Sequence, residues 1–212
     1  SLTFIAIAVY AWGQAEERLV SVVLTVLVVA WGVRLGAYLL YRIRAIGKDA
    51  RFDDIRGNFT SFFLFWLMQG LTCFIVMIPV VTAHHEASNL PGNVGWLGGL
   101  LALLGLVLET VADAQKFTFK RKHPDDFMHR GVWAYLQHPN YAGELLFWWG
   151  VFIVCIPVVP WYTVIGPLWI SIIILRFSGI PLLREKWQEK YGEDPDFIAY
   201  QESTPKLIPG IY

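Results

Sequence analysis

The chain has 212 residues, of which 56% are hydrophobic and 16% are charged, and its formal net charge at pH 7 is zero. Soluble globular domains carry about 25% charged residues, so a mean hydropathy of +0.48 implies more apolar surface than one core can bury. This composition excludes a soluble globular domain, and the lack of net charge excludes a nucleic-acid partner. We expect an integral membrane protein surrounded by lipid.

The first apolar segment is short. Residues 1–12, SLTFIAIAVYAW, fall well below the roughly 20 residues that a membrane-spanning helix needs. No basic segment precedes them, as one would in a signal peptide. We interpret the segment as the second half of a membrane helix whose first half is absent from this chain.

Five further apolar runs follow in chain order, approximately 19–41, 59–83, 95–114, 141–158 and 161–177. The last two are separated by Pro157 and Pro160, which interrupt a helix and require a tight turn. Only helices satisfy the backbone across lipid at these lengths. The pattern therefore predicts an all-α, polytopic membrane helix bundle with about six spans, the first of them truncated.

The C-terminal part of the chain is polar. We expect residues 1–183 to form the membrane bundle and residues 184–212 to form a tail that packs on its basic side. Within the tail we expect a short helix over 185–191, then a loop, then a terminal apolar segment, Leu207-Ile208-Pro209.

Basic residues are distributed unevenly along the chain. Segments 42–58, 116–140 and 176–212 each carry five Lys or Arg residues, which is 15 of the 17 in the chain, whereas segments 84–94 and 157–160 carry none. By the positive-inside rule, the basic segments lie on the cytoplasmic side, or on the matrix or stromal side of an organelle.

Four ionisable residues share one face of the helix predicted over 95–114 and its continuation. Glu109, Asp113, Lys116 and Lys120 recur at spacings of four, three and four. Ionisable groups in a membrane are costly to bury, by about 2.5–3.5 kcal/mol each, and are therefore candidates for function. The alternative is a ladder of internal ion pairs along the helix.

The cysteines and histidines do not indicate a metal site. Cys73 and Cys155 lie inside apolar runs and are interpreted as small core residues. The five histidines show no spacing that would place a pair of ligands on one helix face. No metal is expected.

The segment LQHPNYAGELLFWWG, residues 136–150, is the most informative. Pro139 is suited to a first helical turn, Asn140 to a helix cap, and Gly143 to a close approach of another backbone. A helix N-terminus near basic residues suits an anion such as phosphate. Glu144 fits better as an acceptor for ribose hydroxyls, an amide or an Arg, although a carboxylate there can simply complement the helix dipole.

The stretch GVWAYLQHPNYAGELLFWWG, preceded by ADAQKFTFK and followed by YQESTPKLIP, resembles the steroid 5α-reductase superfamily, closest to its bacterial-type, steroid-dehydrogenase-like membrane proteins. The resemblance extends to AWGVRLGAYLLYRIR, RFDDIRG and FWLMQG, so it covers nearly the whole chain. A shorter RHP-x-Y form is typical of isoprenylcysteine carboxyl methyltransferases, which use S-adenosylmethionine.

This resemblance implies a seven-helix bundle that holds NADPH among its later helices and passes hydride to a conjugated alkene of a lipid-like substrate. By position it makes the following residues candidates for cofactor binding: Tyr38, Asp113, Lys120, Asn140, Tyr141, Glu144 and Tyr200. To these we add Lys116 from the polar stripe, His138 from the HPNY motif, and Arg184 as a phosphate partner. Tyr38 and Glu109 are the candidate proton donors.

The chain departs from the pattern it resembles at three positions. Ala134 and Gln137 stand where the bacterial-type relatives have Arg, and Trp31 stands where the steroid reductases have the Tyr that holds the substrate ketone. Two alternative functions therefore stay open. One is a non-catalytic subunit of a larger membrane complex, and the other is an S-adenosylmethionine-dependent membrane methyltransferase.

Overall fold

The structure is a computed structural model that describes residues 1–15, 19–46, 57–86 and 92–207. Every element of regular structure in these ranges is helical, as expected. The helices are α1 (Leu2–Gln14), α2 (Leu19–Ile46), α3 (Phe59–Glu86), α4 (Gly92–Lys122), α5 (Pro139–Cys155), α6 (Ile165–Ile172), α7 (Ile180–Tyr191) and α8 (Pro195–Ser203). Lys48 and the RFDDIR segment (51–56) lie outside the described residues, as do Ile208 and Pro209.

Four helical stretches in the described ranges are long and apolar enough to cross a membrane: Leu19–Ala45, Phe59–His85, Gly92–Lys122 and Trp161–Tyr191. The expected total of about six also counted α1 and α5, which have 13 and 17 residues. At 1.5 Å per residue α5 is about 26 Å long, slightly less than the hydrocarbon core of a bilayer. The chain is thus an all-α membrane protein.

Two short helical turns and one widened turn complete the helical structure. Single 3-10 turns cover Gly131–Ala134 and Trp161–Val164, and a π-helical turn, Ile173–Phe177, follows α6. The 3-10 turn at Trp161 comes directly after the break between Pro157 and Pro160 that the sequence predicts. The prolines explain why α5 ends at Cys155, because a proline has no N–H group for the helical hydrogen bond and has a fixed φ.

The described chain divides into two compact units. Unit 1 comprises Ser1–Gly99 and Val151–Trp169, and here α1 packs on α2. The contact is close at Gly32, where a Cβ would lie 2.7 Å from the Ile5 side chain. The rings of Phe4 and Trp31 meet edge to face at 5.1 Å, so Trp31 is a buried packing residue of this unit.

Unit 2 comprises Leu100–Gly150 and Ile170–Tyr212. Its helices α4 and α5 cross at two glycines. A Cβ on Gly143 would lie 2.6 Å from the Glu109 backbone nitrogen and 2.8 Å from the Gly105 carbonyl oxygen. The expectation that Gly143 permits close backbone approach is therefore confirmed, because a side chain there would force the helices apart.

The C-terminal tail contains two helices, whereas the sequence predicts one. The helix expected over 185–191 begins at Ile180, with Pro181 in its first turn, where a proline is well tolerated. A second helix, α8, replaces the expected loop. Its first turn is stabilised by Asp194, whose side chain accepts a 2.9 Å hydrogen bond from the Asp196 backbone nitrogen. The expected division of the chain at residue 183 stays a prediction.

Candidate functional site

The acidic half of the polar stripe on α4 is buried within the protein. Glu109 and Asp113 are only 4% and 8% exposed, while Lys116 and Lys120 are partly exposed. All four lie on one continuous helix, so the expected common face is confirmed. Two carboxyl groups are thus removed from solvent and lipid at mid-helix, where burial is costly.

The glycine crossing places the start of α5 against this stripe. Gly143 contacts the backbone of Glu109, and Glu144, the next residue, is half-buried. Tyr141 is also half-buried in the first turn of α5. The motif residues and the acidic end of the stripe therefore belong to one local site in unit 2.

Asn140 has a different position from the one expected. The helix begins at Pro139, and the His138 carbonyl oxygen accepts the first helical hydrogen bond, at 3.0 Å from the Ala142 nitrogen. His138 is therefore the capping residue, and the expectation that Asn140 caps the helix is wrong, because the helix starts one residue before it with Pro139 at its first position. The Oδ1 atom of Asn140 is buried without a hydrogen-bond partner among the described residues.

His138 lies in an aromatic and cationic environment. It is 2% exposed and its ring stacks on Trp187, with centroids 5.1 Å apart and planes 16° apart. Burial, reinforced by Lys116 and Lys206, lowers the pKa of His138 to about 3. The ring is consequently neutral at pH 7, and its buried Nδ1 has no partner among the described residues.

The two lysines of the stripe have different surroundings. The Lys116 ammonium lies over the rings of Trp133 and Trp187, 4.8 Å and 5.5 Å from their centroids, in cation–π geometry. Lys120 instead donates to the backbone carbonyl of Asp126 and, at 2.5 Å, to the Tyr191 hydroxyl. The Lys120 ammonium therefore ties α4 to the following loop and to α7.

The C-terminal tail holds the segment before α5 in place. The backbone nitrogens of Gln137 and His138 donate to the carbonyls of Pro205 and Lys206, at 2.9 Å and 3.0 Å. The Gln137 side-chain amide also donates to the carbonyls of Gln201 (2.9 Å) and Thr204 (2.5 Å). Gln137 is therefore a buried clamp between the motif and the tail.

Tyr200 contributes to the same clamp. Its hydroxyl donates to the Trp133 carbonyl oxygen at 2.6 Å. Burial raises the pKa of Tyr200 above the usual range of a phenol, so the hydroxyl keeps its proton and remains a donor. In this structure Tyr200 fixes the 3-10 turn that precedes the HPNY motif.

The other expected site residues are located as follows. Arg184 is exposed on α7 in unit 2, and Tyr38 lies on α2 in unit 1, with the Arg34 guanidinium 5.8 Å from its ring centroid. The structure thus brings together most of the predicted residues, namely Glu109, Asp113, Lys116, His138, Asn140, Tyr141, Glu144 and Tyr200, within unit 2.

Three residues of this site are missing from the sequence-based predictions. Trp133 is completely buried, and its Nε1 donates to the Ala112 carbonyl oxygen at 3.0 Å. Trp187 contacts both Lys116 and His138, and the Gln137 side chain, next to His138 in the chain, donates to the tail. A signal was available for Trp187, because it is the only aromatic residue inside the charged segment LREKWQEK, and a lone Trp there indicates a packing contact.

The HPNY segment and the helices around it match a known family over residues 1–204, and the description of that family is a protein of unknown function, DUF1295. The chain belongs to the DUF1295 family. This family is related to steroid 5α-reductase-like proteins, which agrees with the resemblance seen in the sequence. No curated protein and no solved structure matches this DUF1295 chain significantly.

Proposed function

We propose that this DUF1295 protein is a membrane-embedded, NAD(P)H-dependent reductase that transfers hydride to a conjugated alkene of a lipid or sterol-like substrate. The observation that carries the proposal is the buried polar site in unit 2, where Glu109 and Asp113 lie next to the start of α5. These buried carboxyl groups converge with the buried, unpartnered Oδ1 of Asn140, and convergent buried polar groups in a membrane helix bundle are typical of a ligand site.

The residues present fit a nicotinamide nucleotide. The buried Oδ1 of Asn140 lacks a partner among the described residues, and it can accept a hydrogen bond from a carboxamide N–H. Glu144 and Asp113 can accept hydrogen bonds from ribose hydroxyls. Two cationic groups of unit 2, Lys116 and Arg184, are candidates to interact with the phosphates. A bound NAD(P)H would supply hydride.

The chain's own groups would position the substrate and provide the proton that balances hydride addition. Glu109 is the candidate proton donor in unit 2, because it is an ionisable side chain in the buried polar site. Tyr38, the second candidate from the sequence, lies in unit 1, and its role stays a prediction. His138, neutral at pH 7, would help to orient a ligand through its unpartnered Nδ1.

A membrane location supports a lipid-like substrate. A site among long apolar helices would be reached from the surrounding lipid, so a hydrophobic substrate could enter without crossing water. We also propose that the basic segments face the cytoplasm, or the matrix or stroma, where NADPH is available.

Ligand-induced stabilisation of the purified protein in detergent tests this proposal. Saturating NADPH should raise the thermal midpoint and quench Trp fluorescence, since a ligand that binds only the folded state stabilises it by mass action. Asn140→Ala and Glu144→Gln should each reduce the NADPH effect at least several-fold, whereas Glu202→Gln, an exposed control on α8, should leave it unchanged.

The alternatives give different outcomes. Stabilisation by S-adenosylmethionine, with no stabilisation by NADPH or NADH, would identify the methyltransferase. An absence of response to all three, together with co-migration in a larger native complex, would identify the accessory subunit. Either result overturns the reductase proposal.

A further inference from the structure

A cavity lies in unit 2 beside the C-terminal part of α4, away from the buried stripe. Its volume is about 590 Å³, which is within the usual range of small-molecule pockets. The walls include Ala114 and Thr118 from α4, and the floor includes the buried apolar side chains of Phe119 and Met128. We call this cavity the α4 groove.

The rim of the α4 groove is cationic. Lys122 and Arg130 line it, and both are exposed. Neither forms an ion pair within residues 1–15, 19–46, 57–86 and 92–207, although Asp126 is nearby and pairs with His123 at 3.6 Å. The Arg130 guanidinium lies 5.7 Å from the Phe119 ring centroid, so the cation is held over the apolar floor.

An exposed apolar strip of α4 leads into the groove. Leu103, Val107 and Val111 are 51%, 59% and 37% exposed. They continue through Ala114 and Thr118 to Lys122 at spacings of four, four, three, four and four, so all of them lie on one helix face. An apolar face that ends at two cations is suited to a lipid whose acyl chain lies on the face and whose headgroup lies at the cations.

We propose that the α4 groove binds an anionic phospholipid. The headgroup phosphate interacts with Lys122 and Arg130, the glycerol region lies on Phe119 and Met128, and one acyl chain follows the strip from Val111 towards Leu103. Two cations that have no carboxylate partner in the described part of the chain, at the end of an apolar, membrane-length helix, favour a lipid over a soluble anion. The groove lies on the opposite side of α4 from Glu109 and Asp113, so lipid binding there is independent of the proposed reductase site.

Native mass spectrometry of the detergent-purified protein, with phosphatidylglycerol and phosphatidylcholine as competing probes, tests the proposal. We expect preferential retention of phosphatidylglycerol. The double variant Lys122→Glu/Arg130→Glu should reduce that preference at least about tenfold, because each basic residue near a lipid surface contributes measurably to anionic-lipid affinity. Arg121→Glu is the matched control for the single variant Lys122→Glu, because it makes the same charge change at an exposed neighbour that does not line the groove.

A second variant tests the groove without charge reversal, so that misfolding of the charge-reversed protein cannot explain the result. Ala114→Leu leaves all charges in place and narrows the groove, so it should also lower phosphatidylglycerol retention while the thermal midpoint stays near that of the unsubstituted protein. Equal retention of both lipids, or an equal effect of Arg121→Glu, would overturn the proposal. Full displacement of phosphatidylglycerol by millimolar inorganic phosphate would instead assign the groove to a soluble anion, which also overturns it.

Discussion

The two faces of α4 have opposite character. One face carries Glu109 and Asp113, which are almost completely buried, and the other carries Val107 and Val111, which are exposed. Positions two residues apart on an α-helix differ in direction by about 200°, so these faces lie on opposite sides of the same helix. In a water-soluble helix the polar face would be the exposed one.

The surrounding lipid explains why the apolar face of α4 is the exposed one. Apolar side chains on the outer face of α4 need no protein partner, because lipid solvates them. The buried face must satisfy its polar groups through neighbouring elements, namely α5, the 3-10 turn at Gly131–Ala134 and the tail. Substitutions on the buried face should therefore disturb stability far more than equal substitutions on the exposed face.

The largest effect is expected at Trp133, which supports the buried face. Trp133→Ala removes a fully buried ring, its hydrogen bond to the Ala112 carbonyl and its contact with Lys116. We expect a loss of about 3–5 kcal/mol in unfolding free energy, measured by denaturant titration in detergent. Tyr135→Ala, next to the same turn and 77% exposed, should change stability by less than about 0.5 kcal/mol. Similar effects of both variants would contradict the buried location.

The next effect concerns the crossing of α4 and α5. In Gly105→Ala the new methyl group would lie 2.6 Å from the Gly143 carbonyl oxygen and 2.9 Å from the Phe147 Cα, which are backbone atoms that cannot move aside. We expect a loss of about 2–3 kcal/mol. Gly99→Ala on the same helix meets nothing within 4 Å and should be neutral or slightly stabilising. The two thermal midpoints measured side by side decide whether the close crossing exists.

The same substitution on both faces of α4 tests the comparison directly. Ala112 is completely buried and Ala114 is exposed. Ala112→Leu should overpack the core around Phe119 and Trp133 and cost about 1–2 kcal/mol, whereas Ala114→Leu should leave the thermal midpoint nearly unchanged. A larger loss at Ala114 than at Ala112 would reverse the assignment of the two faces.

The last effect depends on pH. Burial keeps the folded-state pKa of His138 near 3, below the ordinary value of 6.5, so the unfolded state binds more protons between these limits. Stability is therefore complete above about pH 6.5 and falls as the pH decreases, by at most about 1.4 kcal/mol per pH unit from this group.

His138→Phe keeps an aromatic ring on Trp187 and removes the titrating group. Thermal midpoints of this variant between pH 7.5 and pH 4.5 should fall less steeply than those of the unsubstituted protein. Parallel curves would show that His138 does not titrate differently in the two states.

Features that depend on local periodicity could be predicted from the sequence. The apolar runs, the break at Pro157 and Pro160, and the common face of Glu109 and Asp113 require only helix geometry and residue polarity. Gly143 was identified because only a residue without a side chain permits such a close approach. The start of α7 and the presence of α8 were missed, since their polar sequences carry a weak periodic signal.

The sequence by itself therefore determined that this is an all-α membrane protein with ionisable residues on one face of its longest helix, because composition and spacing act locally. Only the tertiary structure decided what surrounds those residues. The stacking of His138 on Trp187, the position of Lys116 over two indole rings and the hydrogen bond from Gln137 to Thr204 join residues that lie 17 to 71 positions apart. Such contacts depend on how the helices pack, and the local sequence pattern does not determine that packing.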